Sequence, residues 1–304
     1  MQKELLIILG PTASGKSKLA LILAEKNSAE IISADSRQIY KFMDIGTAKP
    51  LKEDLQHISH HMIDIVTPDE LYSAGEYKNE AEKIIQEIFE RGKNVIITGG
   101  TGLYIRALIE GIFNSPRRDN KIQEELEKIA LEKGHGVLYN ELKKVDPISA
   151  EKIHINDKYR IIRALEVFKQ TGAPISRHKT KSTMPINYKY KIFGLNLRRE
   201  KLYRRINERV DKMISSGLLD EIKKLKQMGY NKSSPGFEGI GYQELWDYLE
   251  GEQTLEKAIE LIKQNTRKYA KRQITWFKKL KEVTWFDVEC MSLSEIAERI
   301  SKEL

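Results

Sequence analysis

The residues Gly10–Ser17, with the sequence GPTASGKS, form a phosphate-loop motif. The motif follows the apolar run Leu5–Leu9 and precedes a helical pattern that starts at Lys16, which is the strand–loop–helix setting it requires. Backbone N–H groups and the helix N-terminus would surround a diphosphate, while Lys16 adds a point charge and the Ser17 hydroxyl can bind Mg²⁺. The motif predicts phosphate binding by Gly10, Pro11, Thr12, Ala13, Ser14, Gly15, Lys16 and Ser17.

A carboxylate is missing at the position where a phosphate-loop hydrolase usually has one. Such an enzyme carries a metal-binding Asp at the end of a later apolar strand, whereas Val95–Thr98 runs into the glycine-rich loop Gly99–Gly102. The strand Glu30–Ser33 leads instead to Asp35, which can serve as a metal ligand, a general base or a helix cap. Its place beside the phosphate loop favours catalysis. Thr101 is either a turn residue or the hydroxyl partner of Asp35 at one reaction centre.

Three histidines, His57, His60 and His61, resemble a metal cluster at first sight. No carboxylate or cysteine accompanies them at ligand spacing, and a strand-like pattern continues over 62–64. Hydrogen-bonded or structural histidines are therefore the favoured interpretation.

Two arginines, Arg160 and Arg163, lie three positions apart on a predicted helix and so face one side. They can contact an anionic partner. An Arg163–Glu166 pair on an ordinary amphipathic helix explains the same spacing, and it would stabilise the helix by only about 0.3 kcal/mol. The spacing leaves both interpretations open.

The chain is basic, with 52 Lys and Arg residues against 44 Asp and Glu and a formal net charge of +8. Net charge alone does not separate a polyanionic partner from a solvated surface. The segment 263–279 places basic residues beside aromatic ones, which favours nucleic acid. A second basic helix can supply a charge clamp to the phosphate loop, although spacing does not select among Arg204, Arg205 and Arg209.

The elements that must position these residues alternate between strands and helices. The predicted strands are Leu5–Leu9, Glu30–Ser33, Val95–Thr98, Lys191–Leu197 and Val283–Phe286. Because the first three alternate with helices at Lys16–Lys26 and Glu76–Glu90, we expect a parallel sheet with its ligand at the carboxyl ends of the strands. Two long helices are predicted over 201–228 and 255–280.

The segment from about 118 to 172 is rich in Lys and Glu and has no strand-like alternation. Helices are predicted at 123–131, 138–145 and 158–168. The fold class is thus α/β, a P-loop NTPase-like parallel sheet flanked by helices, with an all-helical insertion domain. The predicted domains are a catalytic core of 1–117 and 188–304 and an insertion of 118–187.

Composition sets the remaining limits. Of the 304 residues, 40% are hydrophobic and 32% charged, as in soluble globular proteins, and no apolar run is long enough to cross a bilayer. No secretion signal is recognisable at the N-terminus. The single cysteine, Cys290, excludes an internal disulfide and a cysteine-based zinc site. We expect a cytoplasmic protein.

Seven motifs in order resemble those of the bacterial tRNA dimethylallyltransferases, and the likeness covers nearly the whole chain. They are GPTASGKS (10–17), ISADSRQIY (32–40), GTAKP (46–50), HHMID (60–64), ITGGTGLYI (97–105), RIIRALE (160–166) and KRQITWF (271–277). The resemblance implies transfer of a dimethylallyl group from dimethylallyl diphosphate to N6 of adenosine 37. That adenosine lies beside the anticodon of tRNAs that read codons beginning with U.

The resemblance also implies roles for individual residues. Asp35 would act as general base, Thr101 would contact the reacting centre, and Arg209 would bind the diphosphate with Lys16, Ser17 and Mg²⁺, for which Ser17 is the protein ligand. The anticodon stem-loop of tRNA would contact Asp35, Ser36, Arg37, Gln38, Thr101, Gln123, Tyr159, Arg160, Arg163, Gly239, Gly241, Tyr242 and Gln243. We expect a monomer that does not bind membranes.

Three other functions compete with this one. A small-molecule kinase shares the phosphate loop and a strand-end Asp, but it leaves the RIIRALE helix and the basic tail unexplained. An isopentenyltransferase for free adenine nucleotides would need neither the helical insertion nor KRQITWF. A non-catalytic RNA-binding protein with a relic loop would have no reason to keep Lys16, Ser17, Asp35 and Thr101 together.

Overall fold

A computed structural model describes residues 4–113, 116–179 and 184–303. The chain divides into two compact units. The first comprises Met1–Tyr72, Asn79–Ile105 and Asn187–Leu304, and the second comprises Ser73–Lys78 and Arg106–Ile186.

The first unit contains a six-stranded sheet in which every strand pair is parallel. Its strands are β1 (Glu4–Leu9), β2 (Ala29–Ser33), β3 (His60–His61), β4 (Asn94–Gly99), β5 (Lys189–Asn196) and β6 (Val283–Asp287). Their order across the sheet is β3-β2-β4-β1-β5-β6. The strands β2, β4 and β1 are therefore neighbours, so the loops after their carboxyl ends lie side by side.

The described residues form fourteen α-helices and one short 3-10 helix (Pro235–Glu238). The α-helices are α1 (Lys16–Lys26), α2 (Lys52–His57), α3 (Ala74–Glu90), α4 (Gly102–Ile109), α5 (Asn120–Lys133), α6 (His135–Val145), α7 (Pro147–Lys152), α8 (Lys158–Thr171), α9 (Ile175–Lys179), α10 (Arg199–Ser215), α11 (Leu218–Gln227), α12 (Tyr242–Leu249), α13 (Leu255–Phe277) and α14 (Leu293–Glu303). Within the described ranges, no helix is long and apolar enough to cross a membrane.

The parallel sheet and its five main strands are confirmed, and the prediction of one helix over 201–228 is wrong. The chain breaks between α10 and α11, where Gly217 adopts a left-handed φ of 97°. Such a residue ends a helix by turning the backbone away from its axis. Residues 62–64 were expected to continue a strand, but the strand ends at His61 and Met62 and Asp64 have positive φ.

Two of the apolar clusters in the first unit support the elements that carry the site. One packs β1, β4 and β5 against α1 and α14, with Leu6, Ile8 and Leu23 fully or nearly fully buried. Because β1 is covered on both faces, it needs a continuous apolar run instead of an alternating one. The other cluster surrounds Phe237, whose ring meets those of Tyr242 and Trp246 edge to face at 5.6 and 5.2 Å. This second cluster fixes the segment that precedes α12.

The second unit is built from α5 to α9 around its own core. Leu126, Leu138, Leu142 and Ile161 are fully buried there. Asp119 and Asp157 cap the first turns of α5 and α8 by accepting hydrogen bonds from backbone N–H groups. The unit therefore has the caps and the buried core of an independent helical module.

Candidate functional site

The loops that follow β1 and β2, together with the carboxyl end of β4, line one cavity of about 770 Å³ in the first unit. Lys16 and Ser17 reach it from the phosphate loop, Asp35 from the loop after β2, and Arg209 from α10. The structure thus brings the predicted diphosphate ligands and the predicted base into one space. The parallel topology explains this, since the carboxyl ends of neighbouring strands meet at one edge.

The phosphate loop has a backbone suited to an anion. Ala13 and Gly15 have φ values of 63° and 99°, and α1 begins at Lys16. Left-handed residues in such a loop turn successive N–H groups towards one concave side, and the helix N-terminus adds its partial positive charge. The Thr12 N–H is an exception, because it donates to the Gln273 side chain at 2.8 Å.

Lys16, Arg209 and Asp35 influence one another's charge within the cavity. Burial, reinforced by the nearby Arg209 guanidinium, lowers the pKa of the Lys16 ammonium to about 8, although Asp35 opposes the shift. Burial also lowers the pKa of Arg209, again against the effect of Asp35. The cations therefore repel each other and share a single counter-charge. An arrangement of this kind favours a ligand that brings more than one negative charge.

Asp35 and Thr101 are held by the same turn. One Asp35 carboxylate oxygen accepts hydrogen bonds from the N–H groups of Arg37 at 2.9 Å and Gln38 at 3.4 Å. The Thr101 side chain accepts from the Ser36 N–H at 2.9 Å, and its own N–H donates to the Ala34 carbonyl at 3.0 Å. The predicted acid–hydroxyl pair is thus joined through the backbone of residues 34–38.

Two residues of α13 at this site were missed in the sequence. Tyr269 lines the cavity and hydrogen-bonds the side chain of Thr101, and Gln273 lies between the phosphate loop and Gly100. With Trp276 they occupy positions i, i+4 and i+7, so they share one helix face. That spacing is the sequence feature that could have identified them as one inward face of the helix. Among the basic residues of the same helix, Lys271 and Arg272 are exposed, and Arg272 also lines the cavity.

Several predicted tRNA contacts near the cavity are engaged within the protein. Arg37 donates to the Pro235 carbonyl at 2.8 Å, and Gln38 donates to the Ala48 carbonyl at 3.0 Å. Tyr242 is only 1% exposed, and its hydroxyl donates to Glu221 at 2.7 Å. Ser36 accepts a hydrogen bond from the Thr101 hydroxyl at 3.2 Å. Tyr242 therefore stabilises the segment 239–243 from the protein interior.

The neighbours of Tyr242 lie closer to the surface of the site. Gly239 lines both the main cavity and an adjoining polar cavity of about 200 Å³, and Gln243 is exposed at the latter. Gly241 directly precedes α12, and its N–H donates to the buried Glu244 carboxylate at 2.7 Å. This segment is thus a fixed rim of the cavity, with Gln243 as its exposed side chain.

The four predicted tRNA contacts of the second unit fall into two groups. Tyr159 and Arg160 have exposed side chains, and Tyr159 also contacts Arg118. Gln123 and Arg163 both donate to Glu166, which is fully buried, at 3.1 and 2.7 Å. The Arg163–Glu166 pair is therefore present, although its carboxylate is buried and not on an ordinary exposed face, and Arg160 is the arginine that faces solvent.

We expect Arg163→Ala to destabilise the protein and Arg160→Ala to leave its stability nearly unchanged. The first substitution strips the buried Glu166 carboxylate of its charged partner, which should lower the free energy of unfolding by about 3 kcal/mol. The second removes only an exposed pair with Asp157, worth less than about 1 kcal/mol. Urea unfolding of both variants measures the difference. Equal, small losses would show that Glu166 is adequately satisfied without Arg163.

Two of the three histidines, His60 and His61, are hydrogen-bonded as predicted, and His57 is exposed. His60 Nδ1 lies 2.8 Å from the Ile58 carbonyl, and His61 Nε2 lies 2.7 Å from the Glu30 carboxylate. Across the described part of the chain, no three His, Cys, Asp or Glu side chains are grouped as metal ligands. A metal at the main cavity would therefore take few protein ligands.

The cavity offers oxygen donors that suit Mg²⁺. Ser17 and Asp35 line it, and so does Thr98, whose buried hydroxyl oxygen has no hydrogen-bond partner among the described residues. Mg²⁺ prefers oxygen ligands and usually keeps several water molecules, binding through one or two protein groups and substrate phosphates. The donor set therefore fits Mg²⁺ together with a diphosphate.

Comparison with known proteins agrees with this arrangement. The model of the IPP transferase family matches residues 38–280. A tRNA dimethylallyltransferase of Acetivibrio thermocellus is 50% identical over 286 residues, which cover 93% of this chain and 91% of that protein.

Two solved structures are also similar along the whole chain. The tRNA isopentenylpyrophosphate transferase of Bacillus halodurans is 41% identical with a TM-score of 0.72, covering 99% of this chain and 96% of that one. A eukaryotic dimethylallyltransferase acting on tRNA is 32% identical with a TM-score of 0.80. The match covers 99% of this chain and 77% of that one.

Proposed function

The chain belongs to the IPP transferase family, and on that basis we propose that it transfers a dimethylallyl group from dimethylallyl diphosphate to N6 of adenosine 37 in tRNAs that read codons beginning with U. The observation that carries this proposal is the single cavity that holds Lys16, Arg209 and Asp35. Two cations suit a diphosphate leaving group, and the carboxylate suits the proton of the attacking amine.

The phosphate loop binds the diphosphate group of the donor and stabilises its departure. In the transfer, the bond between C1 of the dimethylallyl group and the diphosphate oxygen breaks, and the electron pair leaves with the diphosphate. Lys16, Arg209 and the loop N–H groups stabilise the charge that develops on that oxygen. Because the allylic carbon tolerates cationic character, help with departure is the main requirement at this end.

Asp35 and Thr101 act on the acceptor, the N6 amine of adenosine. The N6 lone pair of adenosine forms the new bond to C1, and the Asp35 carboxylate accepts the N6 proton. The Oδ2 atom of Asp35 is available for that proton, because the N–H groups of Arg37 and Gln38 both donate to Oδ1. Thr101, fixed by Ser36 and Tyr269, orients the amine.

We propose Mg²⁺ as the metal that accompanies the donor. Ser17 would bind it directly, and diphosphate oxygens and water would complete its coordination. When bound, the ion neutralises part of the diphosphate charge. The end of β4 carries Thr98 and Gly99 and no carboxylate, which suits a site in which the substrate supplies most ligands.

The acceptor must leave the anticodon-loop stack to reach the cavity, at a cost of a few kcal/mol. Phosphate contacts from basic surfaces offset this cost, which makes binding sensitive to salt. Exposed candidates are Tyr159 and Arg160 in the second unit and Lys271 and Arg272 in the first. Since one chain carries every proposed donor and acceptor group, we propose that a cytoplasmic monomer is the active form.

The test is incubation with labelled dimethylallyl diphosphate and unmodified tRNA, followed by nucleoside analysis. We expect label in N6-(dimethylallyl)adenosine at position 37 and release of diphosphate. Parallel reactions contain labelled ATP as donor or free AMP as acceptor. Phosphate transfer from ATP would favour the kinase instead, and prenylation of AMP at the rate seen with tRNA would favour the free-nucleotide enzyme.

A further inference from the structure

A single buried side chain joins the two loops that serve opposite ends of the proposed reaction. Gln273 is 5% exposed and comes from α13, far along the chain from both loops. Its Oε1 accepts a hydrogen bond from the Thr12 N–H of the phosphate loop at 2.8 Å, and its Nε2 donates to the Gly100 carbonyl at 2.9 Å. One amide thus spans the loops after β1 and β4.

The Gly100 side of this bridge is tightly built. A Cβ on Gly100 would lie 2.3 Å from Gln273 Nε2, so only glycine allows the amide this close. A Cβ on Gly102 would lie 2.4 Å from the Trp276 ring, and Gly99 fits against the Ala34 backbone in the same way. The loop is therefore clamped between α13 and the end of β2.

A continuous set of contacts follows from the bridge. Gly100 precedes Thr101, whose side chain accepts from the Ser36 N–H at 2.9 Å. Ser36 follows Asp35 directly. The path therefore runs from Thr12 in the diphosphate loop, through Gln273, to the pair proposed to handle the adenosine amine.

We propose that Gln273 is a positioning residue that couples the diphosphate-binding loop to the loop of Thr101 and so sets the distance between the donor carbon and the acceptor amine. The inference rests on the proposed function. Misplacement of reacting groups by about 1 Å can cost 100-fold in rate. A link between the two loops is therefore a direct means of controlling turnover.

The chemistry of the bridge selects its side chain. It must accept from one N–H and donate to one carbonyl, and an uncharged amide does both. Methionine has a similar length and does neither. An ionised glutamate accepts from Thr12 but presents a second acceptor to the Gly100 carbonyl, whereas a protonated glutamate both accepts and donates. Gln273→Glu should therefore regain the bridge as the pH falls.

The kinetic test compares Gln273→Met, Gln273→Glu and the control Gln253→Met. Gln253 also binds a backbone carbonyl, that of Glu244 at 2.7 Å, but it does not line the cavity. We expect Gln273→Met to lower kcat by about 10- to 100-fold while the Kd for inorganic diphosphate changes less than about threefold. The control should keep the wild-type kcat.

The pH profile supplies the readout that a merely structural role would not move. Because burial raises the pKa of a carboxyl, the kcat of Gln273→Glu relative to wild type should rise between pH 8 and pH 5, whereas that of Gln273→Met should stay at a constant fraction. Wild-type kcat in Gln273→Met, or a constant ratio of Gln273→Glu to wild type across this range, would overturn the proposal.

Amide hydrogen exchange separates this inference from the proposed function, because it requires no turnover. Inorganic diphosphate should slow exchange in the peptide that covers 99–104 of the wild-type protein, and this protection should be lost in Gln273→Met. Protection that persists in the variant would overturn the coupling. If the wild type shows protection but makes no prenylated tRNA, the proposed function fails and the coupling stands.

Discussion

Replacing Asp35 with Asn is expected to lower turnover by about 10²- to 10⁴-fold, the range in which a general base contributes. Asn keeps an oxygen that can accept the N–H groups of Arg37 and Gln38, so the turn that carries Ser36 should remain in place. The lost property is the ability to take the N6 proton. Single-turnover rates with saturating dimethylallyl diphosphate and tRNA measure the effect, and the Kd for tRNA should change less than about threefold.

Glu238→Gln is the matched control for that substitution. Glu238 also lines the cavity with a carboxylate, but its side chain is 58% exposed and pairs with Arg37. Neutralising it removes one negative charge from the same space without removing the proposed base. We expect turnover within a few-fold of wild type. Equal losses in both variants would assign the effect to cavity charge, and an active Asp35→Asn variant would remove the residue from proton transfer.

The convergence of Asp35 and Thr101 was predictable because it depends on local patterns. Each residue follows an apolar strand in a parallel α/β sequence, and the carboxyl ends of such strands share one edge. The phosphate loop was predictable for the same reason, because Gly10–Ser17 is a contiguous sequence motif. The order β2-β4-β1, which makes the three ends adjacent, came from the structure.

The contribution of α13 was not predictable in the same way. Gln273 lies more than 170 positions from Gly100, and its two hydrogen bonds depend on how α13 packs on the sheet edge. In the sequence, the charges beside Trp276 suggested a nucleic-acid surface, whereas the structure directs Gln273 and Trp276 of the same segment against the glycine-rich loop after β4. The break at Gly217 was missed because the apolar period continues from α10 into α11.

The tRNA contacts show a different limit of sequence reasoning. Arg160 and Arg163 have the same side-chain type and nearly the same place in the motif, yet their exposed side-chain fractions are 69% and 17%. What separates them is the buried Glu166, together with the Pro116 carbonyl that Arg163 also contacts. A shared motif therefore combines residues that face a partner with residues that keep the helix in place.

Replacing Lys16 with Met is expected to have opposite effects on ligand binding and on stability. The ammonium is the central charge of the diphosphate loop, so its loss should weaken the binding of dimethylallyl diphosphate by about 100-fold or more. Without a ligand, however, the same charge is held in a desolvated site beside Arg209. We therefore expect the free variant to unfold at a higher temperature than wild type at pH 7.

The pH dependence of this stabilisation follows from the pKa of Lys16, which falls from an ordinary value of 10.5 to about 8 in the folded protein. Below pH 8 both folded and unfolded chains carry the proton, and the penalty for folding it into the site is constant. Between pH 8 and 10.5 the unfolded chain binds more protons than the folded one, so the wild type gains stability as the pH rises. The Tm difference between Lys16→Met and wild type should therefore be largest at or below pH 8 and shrink towards pH 10.5.

Lys18→Met is the control, because Lys18 also lines the cavity but is exposed. The Tm difference between Lys18→Met and wild type should not change with pH. The affinity of Lys18→Met for inorganic diphosphate should stay within a few-fold of wild type. In the wild type, that affinity should fall above pH 8, since diphosphate binding then requires Lys16 to regain a proton. A lower Tm for Lys16→Met at pH 7, or a Tm difference that does not change with pH, would contradict the view that the free site holds uncompensated positive charge. Agreement on both counts would mean that the protein gives up stability in its free state to keep a charge ready for the leaving group.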